Sequence, residues 1–271
     1  GYYSRCRNLI AAAKTMMEDF GGVFPTDYEA IISLKGVGPY TAAAIGSFAY
    51  NLPYAVLDGN VFRVLSRIFD IETPIDSTEG KKGFAGIAQA ILPKKKAGFY
   101  NQAIMDFGAT VCKPVPECAT CFFQKHCAAF LQNKQALLPV KEKKTAIRER
   151  WFHYIILQQG GAVAIRQRIS KDIWQSLFEP ILIEAGNNLS KAELILHLEK
   201  EYGIKKSQYE VISAAAQRTQ KLSHQTIHFS FLHLSFAKRP KLPGYSWVDL
   251  SELPQYPFPK TLHEFLSKNL L

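Results

Sequence analysis

The chain is poor in the patterns that mark several large classes of protein. It has five cysteines, three methionines and three tryptophans in 271 residues. Five cysteines, four of them bunched together, do not make the disulfide framework that staples small secreted domains. No apolar run approaches the roughly 18 residues that a membrane-crossing helix needs, so no segment reads as one. There is no fixed-period repeat, which argues against a solenoid, and no low-complexity tract. Acid is the minority charge: 23 Asp and Glu face 33 Lys and Arg, for a net charge of +10. That surplus is spread along the chain and suits a phosphate-rich partner, although ordinary solubility charge explains it equally well. With 47% hydrophobic residues, the chain has apolar surface for two domains, each with its own core.

Residues 1–133 read as mostly helical. Apolar residues recur at helical spacing across Arg5–Phe20, Thr41–Tyr50, Val61–Phe69, Phe84–Leu92 and Tyr100–Val111. Gly21-Gly22, Pro25, Pro53, Pro74, Pro93 and Gly98 mark the breaks. Residues 134–150 hold Lys134, Lys141, Lys143, Lys144, Arg148 and Arg150 around Pro139, the composition of a basic interdomain linker. Residues 151–271 have a different texture. Phe152–Gln158 and Gly161–Arg166 read as a hairpin around Gly160-Gly161. Ser190 with Glu193 three residues on is a capping box that opens a helix to Tyr202. Thr226–Phe236 alternates like a strand, and Thr261–Leu270 reads as a last helix. The expected second domain is therefore α+β.

Four of the cysteines, Cys112, Cys118, Cys121 and Cys127, follow the spacing C-x5-C-x2-C-x5-C. Four thiolates on one short loop can close a tetrahedral zinc site or hold an iron–sulfur cluster, and spacing alone leaves the two even. Lys113, Lys125 and His126 give the loop positive charge. Cys6 is left over and reads as a small helix residue. Upstream, Leu34-Lys35-Gly36-Val37-Gly38-Pro39-Tyr40-Thr41 joins two predicted helices. Gly36 and Gly38 allow a tight turn and close backbone approach, Pro39 suits a first helical position, and the next helix points free N–H groups out of the turn. Such a corner can grip a DNA phosphate or be only a corner. In Val56-Leu57-Asp58-Gly59-Asn60-Val61-Phe62-Arg63, Asp58 is placed to cap a helix, where the dipole favours negative charge. A carboxylate anion also stabilises an oxocarbenium-like transition state.

Taken together, L-x-G-V-G-x-Y-T-A, V-L-D-G-N-V-x-R-V, the four-cysteine loop and the opening G-Y-Y-S-R-x-R-N-L resemble the helix-hairpin-helix DNA glycosylase superfamily, in its MutY-type adenine DNA glycosylase branch. The resemblance covers nearly the whole chain. It implies a multidomain protein: an all-α helix-hairpin-helix glycosylase domain ending in a cluster loop (1–133), the linker (134–150), and an α+β MutT-like, or Nudix-like, lesion-reading domain (151–271). The implied substrate is double-stranded DNA with adenine mispaired with 8-oxoguanine. A monomer in the bacterial cytoplasm, on the nucleoid and away from membranes, is expected. Asp58 would stabilise the sugar cation, supported by Tyr40 and Asn60. Tyr2 would wedge into the duplex, and Gly36 and Gly38 would hold the backbone. Cys112, Cys118, Cys121 and Cys127 would hold a [4Fe–4S] cluster, although the first gap is five residues where relatives have six.

Tyr40 occupies the place where bifunctional endonuclease III-type relatives carry a Schiff-base lysine, so a monofunctional hydrolase is implied. A bifunctional glycosylase/lyase and a non-catalytic DNA-binding module are the alternatives. The family's general-acid glutamate lies on a helix before Gly1, so the chain is expected to be truncated at its N-terminus and inactive by itself. In the second domain, Asp172–Pro180 resembles the W-x-G-L-[WY]-x-F-P stretch, with Ser176 in place of the glycine and Pro180 where phenylalanine is usual. There is no acidic Nudix box, so nucleotide diphosphate chemistry is not implied. Leu222-Ser223-His224 matches the F-S-H loop that recognises 8-oxoguanine. Ser223 would accept the proton that oxidation puts on N7, and His224 would add base-edge or phosphate contacts. His228 and His233 read as surface or packing residues, and Phe229, Phe231 and Phe236 as core.

Overall fold

A computed structural model describes residues 3–142 and 146–270. The chain divides into two compact units that meet in sequence between residues 144 and 145.

The first unit is helical: α1 (Tyr3–Asp19), α2 (Tyr28–Ser33), α3 (Pro39–Tyr50), α4 (Gly59–Phe69), α5 (Thr78–Ala90), α6 (Ala97–Thr110) and the single turn α7 (Ala128–Leu131). The five helices expected from periodicity are present, but Gly98, expected at a break, lies in the first turn of α6, where it is bare because a Cβ would lie 2.4 Å from Ser47 O. The short α2 escapes such a reading because six residues hold too few apolar repeats, but Asp27 starts it by accepting from Ala30 N at 2.9 Å. Helix α5 begins six residues before Phe84, where Ser77 accepts from Gly80 N at 2.9 Å. Its first turns are glycine and lysine, with no apolar face to reveal them. Val61 and Leu65 of α4 pack on Phe84 and Ala88 of α5 in a buried core. Asn101 of α6 is also buried. Its Nδ2 donates to Ser47 Oγ and to Tyr54 O, both at 2.9 Å, and its Oδ1 accepts from Val56 N at 3.1 Å. Those three bonds hold the extended connector that leads to Asp58.

The stretch expected as a linker is taken up at both ends. Lys134 Nζ donates to Asp70 Oδ2 at 2.8 Å and to Glu72 Oε1 at 2.7 Å. Leu138 is buried, Ile75 N donates to Val140 O at 3.0 Å, and Glu142 N donates to Asp76 Oδ1 at 2.9 Å. The helical unit therefore keeps its chain to residue 142, and the first strand of the second unit already starts at Arg148. Lysine-rich composition conceals this because the lysines flank an apolar Leu138-Pro139-Val140 that packs, and because the buried Arg150 is neutralised by acids.

The second unit is one seven-stranded sheet: β1 (Arg148–Gln159), β2 (Ala162–Gln167), β3 (Phe178–Glu179), β4 (Ile181–Ala185), β5 (Tyr209–Lys221), β6 (Gln225–Phe236) and β7 (Ser246–Asp249). One edge of β1 pairs in parallel with β6, from Arg148↔Gln225 to Gln158↔Ser235. Its other edge pairs antiparallel with β4 and then with β2, across the Gly160-Gly161 turn. Helix α8 (Lys191–Tyr202), opened by the expected Ser190/Glu193 capping box, covers one face through Leu194 and Leu198 on Ile155, Leu157, Leu232 and Leu234. Helix α9 (Lys260–Asn269) lies on the other, where Phe265 stacks on Phe231 at 3.9 Å. Phe229, Phe231 and Phe236 are buried, as the alternation implies. Among the described residues, no helix is long and apolar enough to cross a membrane.

Candidate active site and nucleic-acid interface

The glycine corner joins α2 to α3. Gly36 has φ +83°, and a Cβ there would also lie 2.6 Å from the Asn8 side chain, so a larger residue would be strained on both counts. Val37 N closes the turn on Leu34 O at 3.0 Å. Gly38 caps α3 with no side-chain bond to its first N–H groups, and Pro39 takes the first helical position. The N–H groups of Tyr40 and Thr41 have no intrahelical partner, and Lys35 is exposed beside them. A backbone anion site with a neighbouring cation results.

Asp58 caps α4. Its Oδ1 accepts from Asn60 N at 2.9 Å and Val61 N at 2.8 Å, and its Oδ2 accepts from Asn60 Nδ2 at 3.0 Å. Asn60 is oriented in turn by Arg63, whose Nη2 donates to Asn60 Oδ1 at 2.8 Å. The same guanidinium reaches Gly108 O at 2.8 Å and, through Nε, Cys112 O at 2.7 Å. Gly108 is bare where α6 meets α4, since a Cβ there would lie 2.7 Å from Asn60 Cβ. One turn on, the buried Arg67 donates to Lys113 O at 2.7 Å, Pro114 O at 2.9 Å and Leu138 O at 3.1 Å, with Cys112 Sγ at 3.5 Å. Helix α4 is thus a rod with Asp58 at its tip and the cysteine loop against its flank. Composition gave Arg63 and Arg67 no role. The only signal was two arginines four apart on a helix whose other face is core.

Asp58 and Asn60 are brought together; Tyr40 is placed differently. Its ring is 45% exposed, and among the described residues no hydrogen bond joins it to Asp58 or Asn60. It borders a cleft of about 720 Å³ with Leu57 and Phe62, the neighbours of the Asp58 segment, and with Tyr28, Tyr54, Lys81 and Lys82. Tyr28 and Tyr54 stack with centroids 3.9 Å apart, giving the cleft an aromatic wall and a cationic rim.

The four clustered cysteines are free thiols, each half-buried, and all four line one small cavity with Phe107, Phe123, Phe130 and Arg67. Burial pushes the Cys118 thiol up, its three sulfur neighbours add to the shift, and Arg67 opposes it. Burial likewise raises Cys127. Among the described residues, no group of three or more His, Cys, Asp or Glu side chains is placed to hold a single metal ion. The all-sulfur donor set facing one greasy cavity has the softness that iron–sulfur chemistry asks for.

In the second unit, Ser223 and His224 form the exposed tip between β5 and β6. Leu222 N donates to Gln225 O at 2.8 Å to close the turn, and Arg148 N donates to His224 O at 3.0 Å to tie it to β1. His228 is half-buried on β6, whereas His233 is buried. Tyr2 lies outside the described residues. Arg150, unassigned by sequence reasoning, is buried and makes two bonds each to Asp172 and Glu184. Arg168 adds Glu179 and Asp172. Ser176, in the place of the motif's glycine, has φ +72°, and Trp174 has φ +62°.

Comparison with known proteins agrees with this division. A helix-hairpin-helix motif matches residues 19–48, and a NUDIX domain matches residues 153–268. An adenine DNA glycosylase of Buchnera aphidicola subsp. Schizaphis graminum is 30% identical over 273 residues, covering 98% of this chain and 76% of that protein. Another, from Buchnera aphidicola subsp. Baizongia pistaciae, is 34% identical over 85% of this chain and 63% of its own length. The adenine DNA glycosylase of Homo sapiens is 42% identical over 51% of this chain and 26% of its own length. The chain spans between half and three quarters of the Buchnera relatives it matches. Likeness that runs through both units and across three quarters of a relative's length makes this chain a member of the adenine DNA glycosylase family.

Proposed function

We propose that the chain belongs to a monofunctional enzyme that hydrolyses the N-glycosidic bond of adenine mispaired with 8-oxoguanine, and that its residues stabilise the sugar cation and read the lesion. The observation that carries the reading is the fixed Asp58 carboxylate, held through both oxygens at the tip of α4. The adenine must leave the stack before its glycosidic bond can be reached. As that bond breaks, positive charge grows on the deoxyribose, and a carboxylate that cannot swing away stabilises it without reorganisation. Asn60 holds that carboxylate, and Tyr40 borders the cleft on the same side. The Gly36–Gly38 corner grips a phosphate of the backbone, and Tyr2 wedges into the duplex. Ser223 accepts the N7 proton that distinguishes 8-oxoguanine from guanine, with His224 beside it.

Cys112, Cys118, Cys121 and Cys127 would hold a [4Fe–4S] cluster, which supplies structural rigidity to the basic loop. In this reading a general acid protonates the leaving adenine, and water completes the hydrolysis. Single-turnover assays on a duplex with adenine opposite 8-oxoguanine test this. In such assays Asp58→Asn should release no adenine where the parent protein does. Borohydride trapping of a protein–DNA adduct would instead favour a glycosylase/lyase. Excision by Asp58→Asn at the parent's rate would remove the role given to Asp58.

A further inference from the structure

An aromatic pair on the sheet of the second unit has no part in the proposed function. Trp151 of β1 and His228 of β6 are register partners, and their rings stack with centroids 4.8 Å apart at 22°. The imidazole is fixed at both nitrogens. Nε2 meets Glu149 Oε2 at 2.6 Å and Nδ1 meets Thr219 Oγ1 at 3.2 Å. Because a carboxylate only accepts, Nε2 is the donor of that bond, and the ring is anchored at its edge with its face against the indole. Helix α8 covers the other end of this sheet face, where Ile155 and Leu157 lie. At the Trp151 end both rings are only half-buried.

Two further observations say what such a shelf meets. First, it is continuous with the Ser223–His224 tip. Trp151↔His228 lies three residues inward from Arg148↔Gln225, the pair at the base of that turn. Three residues of strand span roughly 10 Å, about three nucleotide steps at the 3.4 Å rise of one duplex strand. Second, a cation sits on the same face of the sheet. Lys221 is exposed and pairs with Thr226, two residues from His228 on β6. Glu149, the acid on this face, is engaged by His228.

We infer that Trp151, backed by His228, is a DNA contact. It packs on a deoxyribose of the lesion-bearing strand about three nucleotides from the base read at Ser223–His224, with Lys221 on a flanking phosphate. The inference rests on the lesion-reading role proposed for that turn. A sugar contact of this kind positions the duplex and carries no sequence information, so its loss weakens binding to every duplex alike.

The test is fluorescence anisotropy with the full chain on two duplexes, one with adenine opposite 8-oxoguanine and one undamaged. Trp151→Ala should weaken both by about tenfold, the size of one lost aromatic contact to nucleic acid. Trp151→Phe, which keeps a ring, should lose less than about threefold. Lys221→Ala should lower the slope of log affinity against log salt by about one. Far-ultraviolet circular dichroism checks that each variant is folded. Ser223→Ala is the separate control, because it should narrow the difference between duplexes and leave undamaged DNA unaffected. Affinity of Trp151→Ala within twofold of the parent on both duplexes overturns the inference, as does a loss confined to the lesion duplex. If Ser223→Ala changes nothing, the lesion-reading role fails, and the undamaged duplex alone decides on Trp151.

Discussion

Ser176 offers a prediction in which two effects of opposite sign can be weighed. Its φ of +72° is in the left-handed region, which costs a residue with a Cβ about 1–2 kcal/mol. The side chain is exposed and makes no hydrogen bond among the described residues, while its backbone N donates to Arg168 O at 2.8 Å and holds the conformation in place. Ser176→Gly therefore removes strain and removes no contact. Against this stands the extra freedom of glycine in the unfolded chain, about 0.5–1 kcal/mol. The net is a gain of about 0.5–1 kcal/mol, or roughly 2–4 °C in Tm. Trp174, two residues earlier, has φ +62° but is buried against Phe152 and Phe229 at 5.8 and 6.0 Å. Trp174→Gly relieves similar strain and forfeits a buried indole, whose loss costs about 3–5 kcal/mol, so its Tm should fall well below the parent's. Thermal unfolding followed by circular dichroism reads both. A Ser176→Gly protein that melts below the parent would show that the left-handed turn is not strained, and the reasoning would fail.

Asp58→Asn should keep the helix cap, since asparagine caps as well as aspartate; melting within about 2 °C of the parent, together with lost excision, separates chemistry from folding. Arg67→Met leaves three carbonyl acceptors of the cysteine loop and Leu138 without their buried donor. It should cost about 3–5 kcal/mol and lower the absorbance near 400 nm that marks a bound cluster; an unchanged urea midpoint would refute it. Burial lowers the pKa of His153 and of His233. Above the unfolded value near 6.5 both states are neutral and nothing is lost. Below it the unfolded chain takes up protons first, so stability should fall as pH drops from 7.5 to 5. Asp172, lowered by its bond to Arg150, adds a contribution that is present above about pH 4 and lost in stronger acid. Urea midpoints across this range, flat for a His153→Gln, His233→Gln double variant down to pH 5, provide the check.

Much of the architecture was legible because the relevant signals are local. Helical periodicity located α1, α3, α4 and α6, and a capping box located the start of α8. The cysteine spacing and the aspartate before a helix marked the two ends of what α4 connects. The connection itself was not legible. Arg63 and Arg67 act through carbonyl oxygens of residues 108, 112, 113, 114 and 138, and a backbone acceptor has no letter in the sequence. The same holds for Arg150, which looked like linker charge until β4 and the Asp172 loop brought its acids. The helix α2 and the early turns of α5 were lost for a different reason, because caps and not apolar repeats define them.

Asn101 acts as a ruler. By holding Ser47, Tyr54 and Val56 at once, it fixes how many residues separate the end of α3 from Asp58. One residue more or fewer in that stretch would leave the amide facing the wrong partners and turn the carboxylate away from its cap. The Cys112–Cys118 segment is pinned at its start by Arg67 on Lys113 O and Pro114 O and closed at its end by Glu117 N on Val111 O, but between them it swings out to Val115, which is 84% exposed. Length changes among homologues should therefore accumulate in the cysteine gap and be absent from residues 51–57.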